Sequence, residues 1–327
     1  MSKGIRIQKN GGIEVLEYVD IVPGELGPHD VRVRNHAVGV NFIDIYFRTG
    51  LYPAPSFPTG LGAEGAGVVE AVGEAVTEFK PGDRVAYANA PLGAYADVHV
   101  IPESVLVPLP EAIGFDEAAA VMLKGLTVQY LFRRLYALKP GQTILFHAAA
   151  GGVGLIACQW AKALGVQLIG TAGSDEKARK AKELGAWETI NYSTESIVDR
   201  VLALTNGQKC PVVYDSVGQA TWEASLDCLQ TRGLMVSFGN ASGPVTGVNL
   251  GVLAAKGSLY VTRPSLKDYV AKREELLSSA AELFDLMQQG KIRVEINQRL
   301  PLAEAGKAQQ AIESRQTTGA TILLPDS

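Results

Sequence analysis

The sequence predicts an α/β protein of two domains, one rich in β-strands and one with a doubly wound parallel sheet. Its 327 residues exceed the roughly 100–200 residues of an ordinary domain. Up to about residue 124, short apolar or alternating stretches are separated by glycines and prolines, which is typical of a β-rich domain. From about 125 to 265, apolar strands alternate with helical segments, which indicates βαβ units and a parallel sheet.

The β-rich part begins with strands that are bounded by turn residues. These strands are predicted at Ile5–Gln8, Asp30–Val40, Gly67–Val72, Arg84–Ala88 and Ala94–Val100. Pro81-Gly82-Asp83 predicts a turn between a loop and a strand. Asp116 is predicted to cap the helix that follows, with Glu117 in its first turn.

The second part repeats a strand–helix unit. Strands are predicted at Thr143–His147, Val166–Thr171, Val212–Asp215, Leu234–Phe238 and Gly257–Val261, and helices at Leu155–Leu164, Glu176–Leu184 and Trp222–Leu229. Gly165 and Gly185 are expected to end the first two of these helices, because glycine readily adopts the left-handed conformation found there.

The residues after 265 are expected to return to the first domain. They predict a charged helix over Lys267–Gln289, a short strand, a helix near Glu304–Ser314 and a last strand at Thr321–Leu324. A tail of about 60 residues does not easily form a domain of its own. We therefore expect residues 1–124 plus 266–327 to form one domain and 125–265 to form the other.

Composition and charge exclude several classes of protein. The 30 Lys and Arg residues against 34 Asp and Glu leave a net charge of −4, without the basic excess of a nucleic-acid binder. No apolar run reaches the roughly 18–20 residues of a membrane span, and the amino-terminal segment lacks the apolar core of a secretory signal. The only cysteines are Cys158, Cys210 and Cys228, with no C-x-x-C spacing, so we expect a cytoplasmic protein without disulfides.

A glycine-rich loop follows the strand that ends near Phe146 and precedes a helix. In the stretch 147–154, Gly151 would let the backbone approach a pyrophosphate and Gly154 would let helix and strand pack closely. Gly152 and Val153 lie where a helix presents free N–H groups to phosphate. Ala149 replaces the first glycine of the usual fingerprint. The alternative is a close-packed turn that binds nothing.

The next strand favours NADPH over NADH. An NAD site usually has Asp or Glu at the end of this strand, but here Ala172 and Gly173 carry no charge. The space at Gly173 and Ser174 leaves room for a 2′-phosphate, which Lys177 and Tyr192 could meet.

Two alternatives to this cofactor assignment stay open. Asp175 or Glu176 could bind the ribose, as in an NAD enzyme. Lys177 could also be an ordinary solvated lysine of a surface helix.

With these residues in view, the chain resembles the quinone oxidoreductases of the zeta-crystallin type, in the medium-chain dehydrogenase/reductase superfamily. Gly141-Gln142 through Leu145, the stretch 149–154, Gln159 and Lys162 match the family's signature in order, and the similarity extends over nearly the whole chain. The resemblance implies a GroES-like catalytic domain, a Rossmann cofactor domain and NADPH-dependent reduction of quinones by hydride or electron transfer.

The same comparison implies that zinc is absent. Zinc alcohol dehydrogenases of the superfamily carry Gly-x-Cys-x-x-Asp and Gly-His-Glu segments, where this chain has Asn41 at the thiolate position and Ala63 at the imidazole position. A catalytic zinc needs three protein ligands, and two of the usual ones are missing. Glu64 is then expected to be a structural carboxylate. A quinone needs no Lewis acid, because the hydroquinone anion that forms from it is far more stable than an alkoxide.

The resemblance also assigns candidate site residues. It implies that Asn41, Tyr46 and Tyr52 line the substrate cleft and that Asn41 and Tyr46 also contact the cofactor, although either tyrosine could simply be a packing residue. Further cofactor contacts are expected at Thr127, at the start of a helix, at Ser216, Phe238, Gly239 and Asn240, and at Arg263 and Arg315. The two arginines could equally form surface ion pairs, and Lys124 has no assigned role.

The resemblance further implies a homodimer, because the apolar edge at 257–261 commonly pairs across a two-fold axis in this superfamily. Two other functions are compatible with parts of this pattern. A reductase of activated C=C bonds, such as enones or enoyl thioesters, would use the same zinc-free cleft. RNA binding, known in some zeta-crystallin relatives, conflicts with the acidic balance of the chain.

Overall fold

The computed structural model of the protein describes residues 2–325. Within them the chain forms two compact units. Unit 1 contains residues 2–126, 270–289 and 294–325, and unit 2 contains residues 127–269 and 290–293. Among the described residues, no helix has both the length and the apolar character that crossing a membrane requires.

Unit 1 contains runs of consecutive strands, whereas strands and helices alternate through most of unit 2. The strands are β1 Ser2–Ile7, β2 Glu17–Ile21, β3 Asp30–Val40, β4 Thr59–Gly60, β5 Gly65–Val72, β6 Arg84–Tyr87, β7 Val98–Pro102, β8 Leu106–Pro108, β9 Thr143–Phe146, β10 Gln167–Ala172, β11 Glu188–Asn191, β12 Cys210–Asp215, β13 Leu229–Ser237, β14 Tyr260–Thr262, β15 Ile296–Pro301 and β16 Ala320–Leu324. The helices are α1 Phe42–Thr49, α2 Phe115–Gln129, α3 Gly152–Ala163, α4 Asp175–Glu183, α5 Ile197–Leu204, α6 Trp222–Asp227, α7 Gly251–Ala255, α8 Leu266–Tyr269, α9 Arg273–Gln288 and α10 Ala305–Glu313, and one π-helical segment covers Tyr130–Leu135.

Unit 1 is built on two β-sheets. Their strand orders are β2-β1-β4 and β15-β16-β3-β5-β6-β8, and β7 also pairs with β3. Early in β3, Val31 and Val33 alternate with less buried residues and join the apolar core of this unit. From Ala37 to Val40 every residue is buried, and the antiparallel pairing of β16 with β3 brings the last strand of the chain into this sheet.

Unit 2 contains one sheet of six parallel strands in the order β11-β10-β9-β12-β13-β14. Counted along the chain, this order is 3-2-1-4-5-6, which is the order of dinucleotide-binding folds. Leu145, Ile169 and Val213, from three neighbouring strands, share one apolar cluster. The strand order reverses between β9 and β12, and sheets of this kind bind ligands at the carboxyl ends of the strands beside such a point.

Glycines end two helices of unit 2 as the sequence predicts. Helix α3 stops at Ala163 and α4 stops at Glu183. Gly165 follows the first with φ of 70° and Gly185 follows the second with φ of 116°. Both values lie in the left-handed region that favours glycine, so the predicted helix ends are confirmed.

The prediction of a single helix over Lys267–Gln289 is wrong. The chain forms α8 and α9 instead, separated at residues 270–272. The Tyr269 carbonyl accepts a hydrogen bond from Arg134, and its ring stacks on Tyr130. Because this carbonyl is held outside the helix, α8 ends there, and α9 starts again at Arg273, which binds Glu78 (Nη2–Oε2 2.6 Å). A contact between distant residues decided this break, and the local pattern did not contain it.

Two further sequence predictions of local structure are wrong in detail. Asp116 does not cap α2, since the helix already begins at Phe115, and its carboxylate binds Arg299 instead (2.8 Å). The strand predicted over Ala94–Val100 begins only at Val98. The residues before it make an isolated bridge between Ala96 and Gly4 of β1 rather than a continuous ladder.

Candidate active site

The loop between β9 and α3 combines tight packing with an open helix end. A Cβ atom on Gly154 would lie 2.6 Å from the Ala149 Cα, so only glycine lets the helix approach the strand there. Gly151 is the N-cap residue of α3, and no side chain caps the N–H groups of the first turn at Gly152 and Val153. An uncapped helix N-terminus offers hydrogen-bond donors and the positive end of the helix dipole, which suit a pyrophosphate.

The neighbouring strand makes room for Ala149, which stands where the usual fingerprint has its first glycine. Ala149 is fully buried, and a Cβ atom on Gly170 of β10 would lie 2.6 Å from the Ala149 Cβ. The missing side chain of Gly170 therefore leaves the space that the methyl group of Ala149 fills. Ala148 has φ of 55°, a left-handed conformation that costs a residue with a side chain about 1–2 kcal/mol. The loop thus holds its shape against a local strain, as ligand loops often do.

The residues predicted to select NADPH come together after β10 and β11. A Cβ atom on Gly173 would lie 2.6 Å from the Tyr192 hydroxyl oxygen, so the phenol lies directly over the glycine. Ser174 is the N-cap of α4, and its Oγ accepts a hydrogen bond from the Lys177 backbone N–H (3.3 Å). Tyr192 is 44% exposed, which leaves its ring and hydroxyl open to a ligand. This corner has the donors that a phosphate group needs.

No carboxylate directly follows β10. The strand ends at the buried Ala172. Asp175, the first residue of α4, accepts a hydrogen bond from Asn191 Nδ2 at 2.7 Å on its Oδ1. This bond orients the carboxylate but leaves its second oxygen able to accept, so the alternative in which Asp175 binds a cofactor ribose stays open.

Two loops follow β12 and β13 at the same edge of the sheet. A Cβ atom on Gly239 would lie 2.8 Å from the Ser216 Cα, so the loops at 216–218 and 238–240 pack directly on each other. Asp215 Oδ1 accepts hydrogen bonds from the N–H groups of Val217 (2.7 Å) and Gly218 (3.0 Å) and fixes the first loop. The predicted contacts Ser216, Phe238, Gly239 and Asn240 therefore share one surface beside the glycine loop.

Arg263 stabilises the second of these loops. Its Nη1 donates to the Ser237 carbonyl (2.8 Å), and its Nη2 donates to the amide oxygen of Asn240 (3.0 Å). The guanidinium therefore orients Asn240, one of the predicted cofactor residues. A direct contact of Arg263 with phosphate stays a prediction.

Two predicted cofactor residues lie elsewhere in the chain. Thr127 is buried near the end of α2, at the point where unit 2 begins, and the π-helical segment continues directly from α2. A cofactor contact of Thr127 stays a prediction. Arg315 follows α10 in unit 1, with φ of 56°. A phosphate contact of Arg315 stays a prediction.

Sequence reasoning missed a buried network beside the loops that are predicted to bind the cofactor. His147, directly before the glycine loop, has its Nε2 2.9 Å from Ser225 Oγ and its Nδ1 3.0 Å from Thr171 Oγ1. Ser225 Oγ and Thr221 Oγ1 both donate to Asp215 Oδ2, each at 2.7 Å. Because the Ser225 proton goes to Asp215, His147 must donate from Nε2 and accept at Nδ1.

This network connects the carboxyl ends of β9, β10 and β12, which precede the loops predicted to bind the cofactor. Burial lowers the pKa of His147, so the imidazole is neutral and fits the hydrogen bonds just described. Its members lie up to 78 residues apart in the chain, as for His147 and Ser225. The sequence offered no spacing signal that could have found them.

The residues predicted for the substrate side lie around α1 in unit 1. Tyr46, on α1, is largely buried, and its ring centroid is 5.2 Å from that of Tyr52 in an edge-on contact. The Tyr52 N–H donates to the Tyr46 carbonyl (3.0 Å), which fixes the loop after the helix. Asn41 immediately precedes α1. The structure therefore brings Tyr46 and Tyr52 into contact and places Asn41 at the start of the same helix as Tyr46.

Asn41 belongs to a buried polar cluster with Glu64 and Lys124. Its Nδ2 donates to Glu64 Oε2 (2.7 Å), and the Lys124 Nζ lies 3.1 Å from the same oxygen. The Leu123 N–H donates to Glu64 Oε1 (2.7 Å). Glu64 is fully buried and Lys124 is 4% exposed. The role of Lys124, which the sequence left unassigned, is thus to pair with the buried carboxylate.

A second buried carboxyl lies beside this cluster. Asp44 Oδ2 accepts hydrogen bonds from the Asn41 N–H and the Tyr95 hydroxyl, each at 2.8 Å. Burial raises the pKa of Asp44 to about 7, with the negative charge of Glu64 adding to the effect. Asp44 therefore changes protonation near neutral pH, although it is shielded from solvent.

The groups at the expected metal positions are poor zinc ligands. Asn41 presents a carboxamide whose nitrogen is engaged with Glu64, and Ala63 presents only a methyl group. Within residues 2–325, no group of three His, Cys, Asp or Glu side chains has the arrangement of a metal site.

Comparisons with known proteins agree with this geometry. The family described as alcohol dehydrogenase GroES-like domain matches residues 27–111, and the family described as zinc-binding dehydrogenase matches residues 152–276. A quinone oxidoreductase of Pseudomonas aeruginosa is 66% identical over 99% of this chain and 100% of its own length. The chain belongs to the quinone oxidoreductase family. This family is a zinc-free group of the medium-chain dehydrogenase/reductase superfamily.

Other members of the group extend the comparison. The crystal structure of the Escherichia coli quinone oxidoreductase complexed with NADPH superimposes with a TM-score of 0.98 at 56% identity, covering 99% of this chain and 100% of that one. A 2-haloacrylate reductase from a Burkholderia species is 41% identical over 98% of both chains. The quinone oxidoreductase fold, with its GroES-like and Rossmann-type parts, is therefore the fold of this chain.

Proposed function

We propose that this chain is an NADPH:quinone oxidoreductase, which reduces quinones by hydride or electron transfer from the nicotinamide without a metal ion. One observation carries the proposal. The same chain combines a dinucleotide cradle whose 2′ corner has Lys177 and no strand-end carboxylate with a substrate-side cluster whose metal positions are Asn41 and Ala63. Membership of the quinone oxidoreductase family and the NADPH complex of the Escherichia coli relative support it.

Bound NADPH supplies a hydride to the substrate. The residues of the chain then have to bind, orient and shield a flat ring. The Tyr46 and Tyr52 rings offer an aromatic surface for a quinone, and their hydroxyls can donate to its oxygens. Asn41 carries a second amide hydrogen besides the one that Glu64 accepts, and this can polarise a quinone oxygen or hold the nicotinamide ribose.

Weak polarisation of this kind is sufficient for a quinone. A quinone accepts a hydride readily, and the negative charge of the product is spread over an aromatic ring and its oxygens. An alcohol dehydrogenase, by contrast, must stabilise a localised alkoxide, for which its zinc serves as a Lewis acid. The chemistry of the donors in the cluster therefore fits quinone reduction better than alcohol oxidation.

The test is the absorbance at 340 nm of purified protein given NADPH or NADH and 1,4-benzoquinone. We expect fast loss of NADPH absorbance that persists with a chelator, and slow loss with NADH. Tight binding of NADPH without any turnover of quinones would overturn the proposal and favour reduction of activated alkenes. Absence of nucleotide binding would mean that the glycine loop has another purpose.

A second function, reduction of activated C=C bonds, has one specific observation in its favour. The relative named 2-haloacrylate reductase is 41% identical over nearly the whole chain. Protonation at carbon would favour an acid, and the Tyr46 or Tyr52 hydroxyl could serve. The higher identity of the quinone oxidoreductases makes this function the less favoured one. Rates on a quinone and on a simple enone, measured side by side, separate the two.

We further propose that the enzyme works in the cytoplasm as a homodimer. The cysteines Cys158, Cys210 and Cys228 are free and buried, as suits a reducing compartment. Strand β14 lies at the edge of the parallel sheet, where Tyr260 and Val261 are exposed and could pair with a second copy.

A further inference from the structure

The buried pair of Lys124 and Glu64 directly contacts Asn41, the residue at the position where the resemblance places the thiolate ligand of zinc alcohol dehydrogenases. One carboxylate oxygen of Glu64 accepts from both the Asn41 amide and the Lys124 ammonium. The other accepts from the Leu123 backbone N–H. Both Glu64 oxygens therefore accept hydrogen bonds. Only the Glu64 carboxylate separates the positive charge of Lys124 from the Asn41 amide.

The fold holds the Glu64 carboxylate in one place. A Cβ atom on Gly39 would lie 2.6 Å from the Glu64 Cδ, so the carboxylate fills the space above this glycine. The Gly39 N–H also donates to the Glu64 carbonyl (3.2 Å). The backbone of β3 at Gly39 and the Leu123 N–H of α2 therefore confine the carboxylate from two directions.

Stability alone does not explain this pair. Removing two opposite charges from water costs about as much as their attraction returns, and apolar residues of similar volume are often as stable or more so. Lys124 is nevertheless 4% exposed and lies among apolar residues of α2, such as Val121 and Leu126. A charge kept at such a place points to a function.

We propose that Lys124 is a positioning residue of the quinone site, whose ammonium holds the Glu64 carboxylate in place as a hydrogen-bond acceptor and thereby fixes the carboxamide of Asn41 in one of its two orientations. The inference rests on the proposed function, in which Asn41 contacts the substrate or cofactor. An ionised carboxylate only accepts hydrogen bonds, so Asn41 must turn its Nδ2 toward Glu64. The amide oxygen and the second N–H are then always presented in the same way.

Loss of the ammonium would remove this constraint. Glu64 would keep its hydrogen bonds from Asn41 and Leu123 but lose its countercharge, and a buried carboxylate without a countercharge is more easily protonated. Protonated Glu64 could donate to Asn41, and the carboxamide could then rotate by a half turn. The donor and the acceptor offered to the ligand would exchange places, with little change in shape.

The central experiment is a mutant cycle between Lys124 and Asn41. Lys124→Met keeps the length of the side chain and removes the charge. We expect kcat for quinone reduction to fall about ten- to a hundred-fold, as for other small misplacements of reacting groups, with a smaller change in KM. In an Asn41→Ala background the same Lys124→Met change should alter kcat by less than about three-fold. Equal losses in both backgrounds would overturn the proposal, since Lys124 would then act independently of Asn41.

A second variant guards against mere misfolding. Lys124→Met combined with Glu64→Gln has no buried charge at either position, so its melting temperature should recover relative to Lys124→Met alone. Its kcat should stay low, because the amide of the new glutamine can donate to Asn41. Recovery of both stability and kcat would show that the pair has only a structural role. Arg273→Met, which breaks an ion pair of unit 1 with Glu78, is the matched control and should keep wild-type kcat.

A spectroscopic readout needs neither cofactor nor substrate. With ¹⁵N-labelled asparagine, the side-chain amide signals of Asn41 are identified by their loss in Asn41→Ala. We expect them to shift in Lys124→Met, and unchanged signals would contradict the positioning role. If they shift while the wild-type protein reduces no quinone, the proposed function is wrong and the positioning stands. If quinones are reduced but the signals do not move, the reverse holds.

Discussion

At the scale of single residues, Lys177 offers the sharpest test of cofactor choice. Its backbone N–H donates to Ser174 Oγ in the first turn of α4, which follows a strand that ends without a carboxylate. Lys177→Ala should weaken NADPH binding about ten- to a hundred-fold, the usual value of a hydrogen bond to a charged group, and leave NADH binding nearly unchanged. Dissociation constants from fluorescence titration measure both.

The matched control for this variant is Lys182→Ala. Lys182 is on the same helix but pairs with Glu188 (2.7 Å), away from the corner. It should bind both nucleotides as the wild type does. Equal weakening of NADPH and NADH by Lys177→Ala would mean that Lys177 does not meet the 2′-phosphate.

Asp44 makes a prediction about pH and stability. Its pKa rises from 3.8 to about 7 on folding, so between these values the folded protein keeps a proton that the unfolded chain releases. The contribution of Asp44 to stability is therefore lost as the pH rises from about 4 to about 7. Relative to wild type, Asp44→Asn should gain up to about 1.4 kcal/mol of unfolding free energy per pH unit over this range, and nothing more above it. Urea unfolding at several pH values measures this difference.

His99 should show the opposite slope and serves as the comparison. Burial lowers the pKa of His99 to about 3, so below its ordinary value of 6.5 the unfolded chain binds a proton that the folded protein does not. Relative to wild type, His99→Gln should therefore gain stability as the pH falls. If both variants change in the same direction, the assigned protonation states are wrong.

At the scale of elements, alanine substitutions of two glycines in one loop should have different effects, one on NADPH binding and the other on stability. A Cβ atom on Gly151 would meet only the Ala148 carbonyl oxygen, at 3.3 Å, whereas one on Gly154 would lie 2.6 Å from backbone atoms. Gly151→Ala should therefore fold with nearly wild-type stability but bind NADPH weakly, because its methyl group occupies the approach of the pyrophosphate. Gly154→Ala should lower the melting temperature itself, because α3 must move away from β9.

Thermal unfolding and NADPH titration of the two variants decide this prediction. Unchanged NADPH binding by a stable Gly151→Ala protein would show that no ligand approaches the loop there. It would thereby favour the alternative of a close-packed turn without a ligand.

Elements with local signals were predictable from the sequence. The strand–loop–helix unit at 143–163 has an apolar strand, a glycine loop and a glycine helix end, and each signal agrees with the others. The break between α8 and α9 was not predictable, because Arg134 ends α8 from 135 residues away. Edges of elements are likewise set by partners, as where Asp97 bonds to Lys3 of β1 instead of extending β7.

The candidate site divides in the same way. Gly173, Ser174, Lys177 and Tyr192 follow consecutive strands of a parallel sheet, so a topology argument brings them together from sequence alone. Glu64 and Lys124 are 60 residues apart in a β-rich unit with two sheets, and no periodicity links them. Their contact with Asn41 follows only from how α2 packs on β3 beside Gly39.

At the scale of the whole molecule, the open question is what covers the free edge of the parallel sheet. Strand β14 pairs with β13 on one side only. Tyr260 is 62% exposed and Val261 is 40% exposed. An apolar edge with unpaired backbone groups promotes association, and two copies related by a two-fold axis could join their β14 strands into a continuous sheet.

This arrangement predicts the mass of the protein in solution. Wild type should elute in size-exclusion chromatography with light scattering at twice the mass of one chain, and Val261→Lys should elute at the mass of one chain. The exposed side chain of Val261 can be replaced without disturbing the core, and circular dichroism checks that the fold remains. Val22→Lys is the control, since Val22 is 91% exposed in unit 1 and should leave the dimer intact. A wild-type mass of one chain would rule out the dimer, and a dimeric Val261→Lys protein would place the interface on another surface.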